Sequence, residues 1–398
     1  MKRVLFVCYG SGHVAMVVPV ARALQDSGSA SVQVLGLTTA APVVAAAGLA
    51  LLQIKDFLIP GDDAALAQGL ELLAAMGPVD DPDESAAYLG LCYAELVAQV
   101  GQQEAQQRYR RDGRQAFLPQ SLLARILRTV RPDLLVTTNS PRAERAAVLA
   151  ARELGIPAVC MVDLFAVDEV RWIGAAGYAD QVCVLNEQVR QFLLRAGRRA
   201  DEVQVTGNPA FDGLGSPEVH EQGRALRQAR NWAGRRVVLC PSQVEPAFHP
   251  FDGRAGDPQL PARLLRALLD WVLKQDDVLL CVRPRAGECA PSLPSDDRVC
   301  LTGQDWPLPA LLAAVDTVVT LGSTVGLQGA LAGTRLIQVL GSVFDDAMPL
   351  GRFGIADAAV PLAQLEPALE RWVRTPRRAA SELSPATPHV LAVLREFL

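Results

Sequence analysis

A chain of 398 residues, 50% of them hydrophobic, can bury the cores of two domains, which excludes a disordered protein and a small disulfide-stapled one. Thirty-eight basic against 43 acidic residues leave a net charge of −5, too little positive field to attract nucleic acid or an anionic membrane. The eight cysteines form no CxxC pair and several sit in apolar runs, which suits reduced thiols in a cytoplasmic protein without a structural metal.

Residues 4–8 form an apolar, β-branched run that predicts a first strand. Lys2 and Arg3 before it resemble the start of a secretory leader, but Gly10, Ser11, Gly12 and His13 break the run too early. No later stretch reaches the ~18 apolar residues of a membrane span. A helix is expected over 14–25 and a second strand over 32–35, followed by strands at 134–137, 158–162, 181–185 and 203–205. Strands alternating with helices indicate parallel βαβ units. Between them, 56–130 carries helical patterns without strand signals, acidic at its start and basic at its end. Solvated helix faces explain that charge pattern, and an acceptor-binding lid is the alternative.

Gly207-Asn208-Pro209 is a turn signal suited to a hinge. A second series follows, with strands at 237–240, 278–282, 317–321 and 336–339, a Pro-rich loop at 241–261, and a last helix near 389–397 that can return to the first domain. This predicts an α/β protein of two Rossmann-like domains facing a cleft: 1–208 with its helical insertion at 56–130, 209–385, and a C-terminal helix at 386–398.

The chemistry-bearing residues fall where strands end. Gly10, Ser11 and Gly12 lie between a strand and a helix, so their N–H groups can face an anion. A dinucleotide fingerprint would need a glycine at position 15, where Ala15 stands, and an acidic residue closing the second strand. His13 can accept a proton from a hydroxyl near neutral pH, or can simply order the loop. Asp163, after the strand 158–162, is the carboxylate candidate for the same task, or a turn cap. In the second half Gly322, Ser323, Thr324 and Gly326 repeat the strand, turn and helix logic, which suits a diphosphate or an ordinary helix cap. Arg283 and Arg285 end the preceding strand and can supply cations, or form a surface pair.

At this point the chain resembles a known group. GSGHVAMVVPVARAL is similar to the first loop and helix of GT-B glycosyltransferases and of non-hydrolysing UDP-N-acetylglucosamine 2-epimerases. RPDLLVTTNSPRAERAAVLAARELGIPAVCMVDL resembles the central βαβ segment of the peptidoglycan N-acetylglucosaminyltransferase. VTGNPAFDGL resembles the hinge, and VDTVVTLGSTVGLQGALAGTRLIQV the donor-binding unit. The resemblance implies a GT-B fold and a metal-independent, cofactor-free enzyme. Its second domain would hold a UDP-sugar donor and its first an unidentified acceptor such as a glycan, a lipid-linked sugar or a small molecule.

It carries His13 over as a base and Ser323, Thr324 and Gly326 as diphosphate contacts. Many members have a glutamate for the ribose hydroxyls near Gln328 or Gly329, where Gln328 offers only an amide oxygen. Epimerases carry Arg and Glu near Ser11 and His13, and a His-Pro pair where Arg283-Pro284-Arg285 stands here. Pro19 follows His13 by six residues, as in epimerases, where transferases with a GHxxP pattern have a spacing of three. The expected function is a glycosyltransferase using a nucleotide-sugar. The alternatives are a nucleotide-sugar epimerase or hydrolase of the 2-epimerase kind, and a silent nucleotide-sugar-binding module.

Overall fold

The computed structural model describes residues 1–250, 252–285, 288–303, 305–378 and 384–398. The chain forms two compact units, Met1–Ala210 with Pro385–Leu398, and Phe211–Ser384.

The first unit is built on seven parallel strands: β1 Lys2–Cys8, β2 Ala30–Gly36, β3 Ala50–Leu52, β4 Leu134–Thr137, β5 Ala158–Met161, β6 Gln181–Val184 and β7 Val203–Val205. Their order is β3-β2-β1-β4-β5-β6-β7. β4 and β5 are buried along their whole length, as helix-covered parallel strands must be. The helix Gly12–Asp26 lays Val14, Val17, Val20 and Leu24 on the sheet, and Val390 and Leu394 of the helix Ala386–Arg395 complete that core.

The stretch after β3 holds four α-helices, Asp63–Ala74, Pro82–Val100, Gln102–Asp112 and Gln120–Val130. The first two cross with their backbones in contact. A side chain on Gly69 would strike the carbonyl of Ala86, and one on Gly90 the carbonyl of Ala65.

The second unit has six parallel strands: β8 Arg236–Pro241, β9 Val278–Arg283, β10 Val299–Leu301, β11 Thr317–Thr320, β12 Arg335–Leu340 and β13 Ala358–Pro361. Their order is β10-β9-β8-β11-β12-β13. The expected α/β class is therefore observed, with one parallel sheet in each unit. No helix among the described residues is long and apolar enough to cross a membrane.

Both strand orders reverse direction once, between β1 and β4 in the first sheet and between β8 and β11 in the second. Two neighbouring strands there send their following helices to opposite faces, so the loops at their carboxyl ends part and leave a crevice. Topology alone thus marks the loops after β1 and β4, and those after β8 and β11, as the places where a ligand fits.

Candidate functional site

In the first unit the crevice gathers groups that can move a proton. Ser11 sits at φ 58°, a backbone region that L-residues rarely adopt, and turns the chain from β1 into the helix Gly12–Asp26. Gly10 is required by crowding, since any side chain there would collide with Thr39. Gly12 has open space beside it.

His13, half-buried, shares a hydrogen bond through Nδ1 with Thr138 Oγ1 after β4 (2.6 Å). This leaves Nε2 for a substrate proton. Behind the ring lies Glu144, fully buried, with Oε2 3.8 Å from Nδ1. Its carboxyl accepts the N–H groups of Tyr9 (2.8 Å) and Ser140 (2.7 Å), so it ties the loop after β1 to the loop after β4. An imidazole aimed in this way is held in one orientation, as a catalytic base needs.

Asp163 follows β5 and is clamped rather than free. Asn139 donates Nδ2–H to Asp163 Oδ1 and accepts the Asp163 N–H, both at 3.0 Å, while Asn208 donates to the Asp163 carbonyl at 2.6 Å. Glu169, farther along the same loop, stands apart. Burial pushes its carboxyl up to about 7, the negative charge of Asp163 adds to the rise, and the charge of His13 opposes it. A carboxyl poised near neutrality within the electrostatic reach of both sequence candidates is suited to give or take a proton.

In the second unit the crevice gathers cations and hydroxyls. Arg283, Arg285, Ser323 and Thr324 line one cavity of about 490 Å³ together with Ser242 and Gln243. Arg283 is half-buried, burial lowers its pKa, and one N–H goes to the Trp306 carbonyl (3.2 Å). Arg285 is exposed, and its main-chain N–H goes to Glu288 (3.0 Å). Among the described residues neither guanidinium enters a salt bridge. A cation partly withdrawn from water without a carboxylate partner is an unbalanced charge that an anionic ligand would neutralise.

The turn after β11 differs from the simple picture of a row of free N–H groups. Gln243 Oε1 accepts from Thr320 Oγ1 (2.7 Å), Leu321 N (2.8 Å) and Gly322 N (3.2 Å). The N–H groups of Ser323, Val325 and Gly326 are bonded to Thr320 Oγ1, Ser323 Oγ and Ser323 O. Ser323 is the N-cap of the helix Thr324–Leu331, so anion contacts at this end fall mainly to hydroxyls and the two arginines.

The glycines of this turn also have local reasons. A side chain on Gly326 would meet Thr320 Cγ2 at 2.7 Å and Leu336 Cδ1 at 3.1 Å, so its bareness lets the helix lie on the sheet. Gly322 backs onto Met348. Gln328 is half-buried and does not line the cavity.

The structure thus brings Arg283, Arg285, Ser323 and Thr324 into one cavity and joins His13 to the loop after β4. It adds five residues that motif reading passed over: Thr138, Asn139, Glu144, Glu169 and Gln243. All except Glu169 lie within about seven residues of a strand's carboxyl end, so the switch-point rule applied to β4 and β8 would have found them.

No protein-family model and no curated protein matches the chain in sequence. Solved structures match it in fold. The UDP-GlcNAc 2-epimerase of Neisseria meningitidis bound to UDP-GlcNAc is 13% identical, with a TM-score of 0.60 over 99% of this chain and 100% of that one. The Anabaena protein Alr3699/HepE in complex with UDP and glucose is 16% identical, with a TM-score of 0.53 over 100% of this chain and 95% of that one. The glycotransferase of kitacinnamycin is 17% identical, with a TM-score of 0.53 over 100% of this chain and 94% of that one. At these identities the likeness establishes the fold, the one shared by GT-B glycosyltransferases and UDP-GlcNAc 2-epimerases.

Proposed function

We propose that the chain is an enzyme acting on a UDP-sugar, held by the second unit and cleaved between the anomeric carbon and the diphosphate. The observation that carries the reading is the cavity lined by Arg283, Arg285, Ser323 and Thr324, where two cations lack carboxylate partners among the described residues. Structures described with UDP or UDP-GlcNAc bound share the fold and support the choice of nucleotide. The arginines and the Ser323 and Thr324 hydroxyls stabilise the negative charge that grows on the leaving diphosphate. His13 Nε2 or Glu169 takes a proton from the group that reacts with the anomeric centre.

Two outcomes share this first step. If an acceptor hydroxyl attacks, the enzyme is a glycosyltransferase, with His13 as the base on that hydroxyl. If no acceptor takes part, the same groups serve a nucleotide-sugar epimerase or hydrolase. The TM-scores lie closer to the epimerases, 0.60 against 0.53, and the raised carboxyl of Glu169 suits proton removal from the sugar itself.

Incubation with UDP-GlcNAc and UDP-glucose, followed by chromatography of nucleotide and sugar, separates the readings. Transfer predicts slow UDP release that an acceptor accelerates, and epimerisation predicts a new UDP-sugar or free sugar without one. A thermal shift with NAD larger than with UDP would overturn both.

A further inference from the structure

The second unit holds two thiols that the chemistry above does not use. Strands β9 and β10 run parallel, and in their register Cys281 stands directly opposite Cys300. Residues paired in this way point to one face of the sheet, with main chains about 4.8 Å apart, inside the roughly 4.4–6.8 Å over which a disulfide spans two Cα atoms. The two sulfurs already touch, Sγ to Sγ 3.2 Å, and both thiols are free.

The pair is unequal. Cys281 is fully buried, whereas Cys300 is half-buried on β10, an edge strand of three residues. The Cys281 thiol donates a hydrogen bond to the Cys300 sulfur, which holds Cys300 below the usual thiol range, and the charge of Arg230 adds to that effect. Arg230 follows the helix Pro217–Ala229 and lies over the Trp306 ring, 4.1 Å from its centre, without a salt bridge among the described residues. Burial instead raises Cys8, Cys92, Cys160, Cys183 and Cys240. An accessible thiol beside an open cation, backed by a second sulfur, is the arrangement of a nucleophilic cysteine with its resolving partner.

We infer that Cys300 and Cys281 are a modification site, oxidised by a peroxide to a reversible disulfide that locks the edge strand β10 to β9. The Cys300 thiolate attacks one peroxide oxygen, the O–O bond breaks, and a sulfenic acid forms on Cys300 while hydroxide leaves. The Cys281 sulfur then displaces a second hydroxide from Cys300 and closes the S–S bond. The two thiol protons end in two molecules of water, and the two electrons lost by the sulfurs reduce the peroxide.

The lock sits beside the anion cavity. Arg283 ends β9 two residues beyond Cys281, on the same face of the strand, and its guanidinium donates to the carbonyl of Trp306, which follows β10 (3.2 Å). The disulfide thus fastens together the two strands whose ends hold that cation. It also closes a connection of 19 positions, which restricts the unfolded chain and favours the folded one.

The test exposes the reduced full chain to hydrogen peroxide and maps its cross-links by mass spectrometry. A Cys281–Cys300 link that dithiothreitol reverses is expected, with a melting temperature about 5 °C or more above that of the reduced protein. In Cys281→Ala, Cys300 should stop at the sulfenic acid and be labelled by dimedone. Arg230→Gln should slow disulfide formation about threefold or more, and Cys289→Ser, which alters an exposed thiol outside the pair, should leave it unchanged. Absence of the link, a link of Cys300 to Cys289 instead, an unchanged melting temperature, no dimedone label in Cys281→Ala, or full speed in Arg230→Gln would each overturn the inference.

Discussion

The two units use the same architecture for opposite electrostatic ends. At the switch point of the first sheet, the loops after β1 and β4 are joined by a buried carboxyl, Glu144, and surrounded by titratable groups. At the switch point of the second, the loops after β8 and β11 are joined by a neutral amide, Gln243, and the open charges are arginines. A carboxyl as the tie raises the proton affinity of what surrounds it; an amide leaves the cations of its cavity undiminished. Sheet order decides where a site sits, and the charge on the residue that closes the crevice decides what it can handle.

The sharpest way to break this comparison is to remove the carboxyl proposed to carry the proton. If Glu169 transfers the proton as proposed, Glu169→Gln should lower turnover by ~10² to 10⁴ with UDP affinity unchanged, because the carboxyl lies in the first unit and would act in the transition state. Since burial raises the Glu169 carboxyl to about 7, its basic form grows as pH rises through that value. The rate of the reaction proposed for the unmodified protein should therefore climb between about pH 6 and 8, and a flat profile would remove Glu169 from the chemistry.

A smaller effect separates anion binding from folding inside the second unit. Arg283→Gln should weaken UDP by about 10- to 100-fold, the worth of one charge-assisted contact, with little change in melting temperature. Gly326→Val should do the reverse: its side chain is driven into Thr320 and Leu336, costing on the order of 1–3 kcal/mol of stability while the cavity lining is untouched. Calorimetric titration and thermal melting of both variants check the pair, and loss of UDP binding in a well-folded Gly326→Val protein would contradict it.

The smallest effect concerns Glu84, whose carboxyl burial raises to about 7. A folded carboxyl above its unfolded value holds its proton more tightly. That contribution is therefore complete below about pH 4.5 and lost as pH rises to 7. Glu84→Gln should match the unmodified protein near pH 4.5 and exceed it by on the order of 2 kcal/mol at pH 8, as measured by denaturant titration. A variant less stable at pH 8 would mean that the main-chain N–H groups of Ile54 and Lys55, which donate to this carboxyl, need the charge.

Fold was legible wherever burial forced a pattern. The interior strands β1, β4, β5, β8, β9 and β11 are mostly apolar and largely buried runs of four to seven residues because both faces are covered. The strands β3, β10 and β13 are edges of only three or four residues, half-exposed and weak in pattern; β7, an edge of the same length, was legible from its Val-Gln-Val alternation before the Gly207-Asn208-Pro209 turn. In the site, residues adjacent in sequence to a glycine turn could be read: His13, Ser323 and Thr324. The contacts of those that act across the chain could not, because Glu144 meets the Tyr9 N–H 135 positions away and Gln243 reaches Leu321 over 78, although both follow predicted strands closely enough to be candidates. Glu169 carries no motif at all, and its proton affinity is a product of burial.

The helix Ala386–Arg395, packed on the helix Gly12–Asp26 in the core of the first unit, has a consequence for biosynthesis. The ribosome makes the bulk of that unit first, then all of the second, and only afterwards the segment whose Val390 and Leu394 close the first core. At about 5–20 residues per second the nascent first unit waits on the order of ten seconds or longer with part of its apolar surface open to water and chaperones.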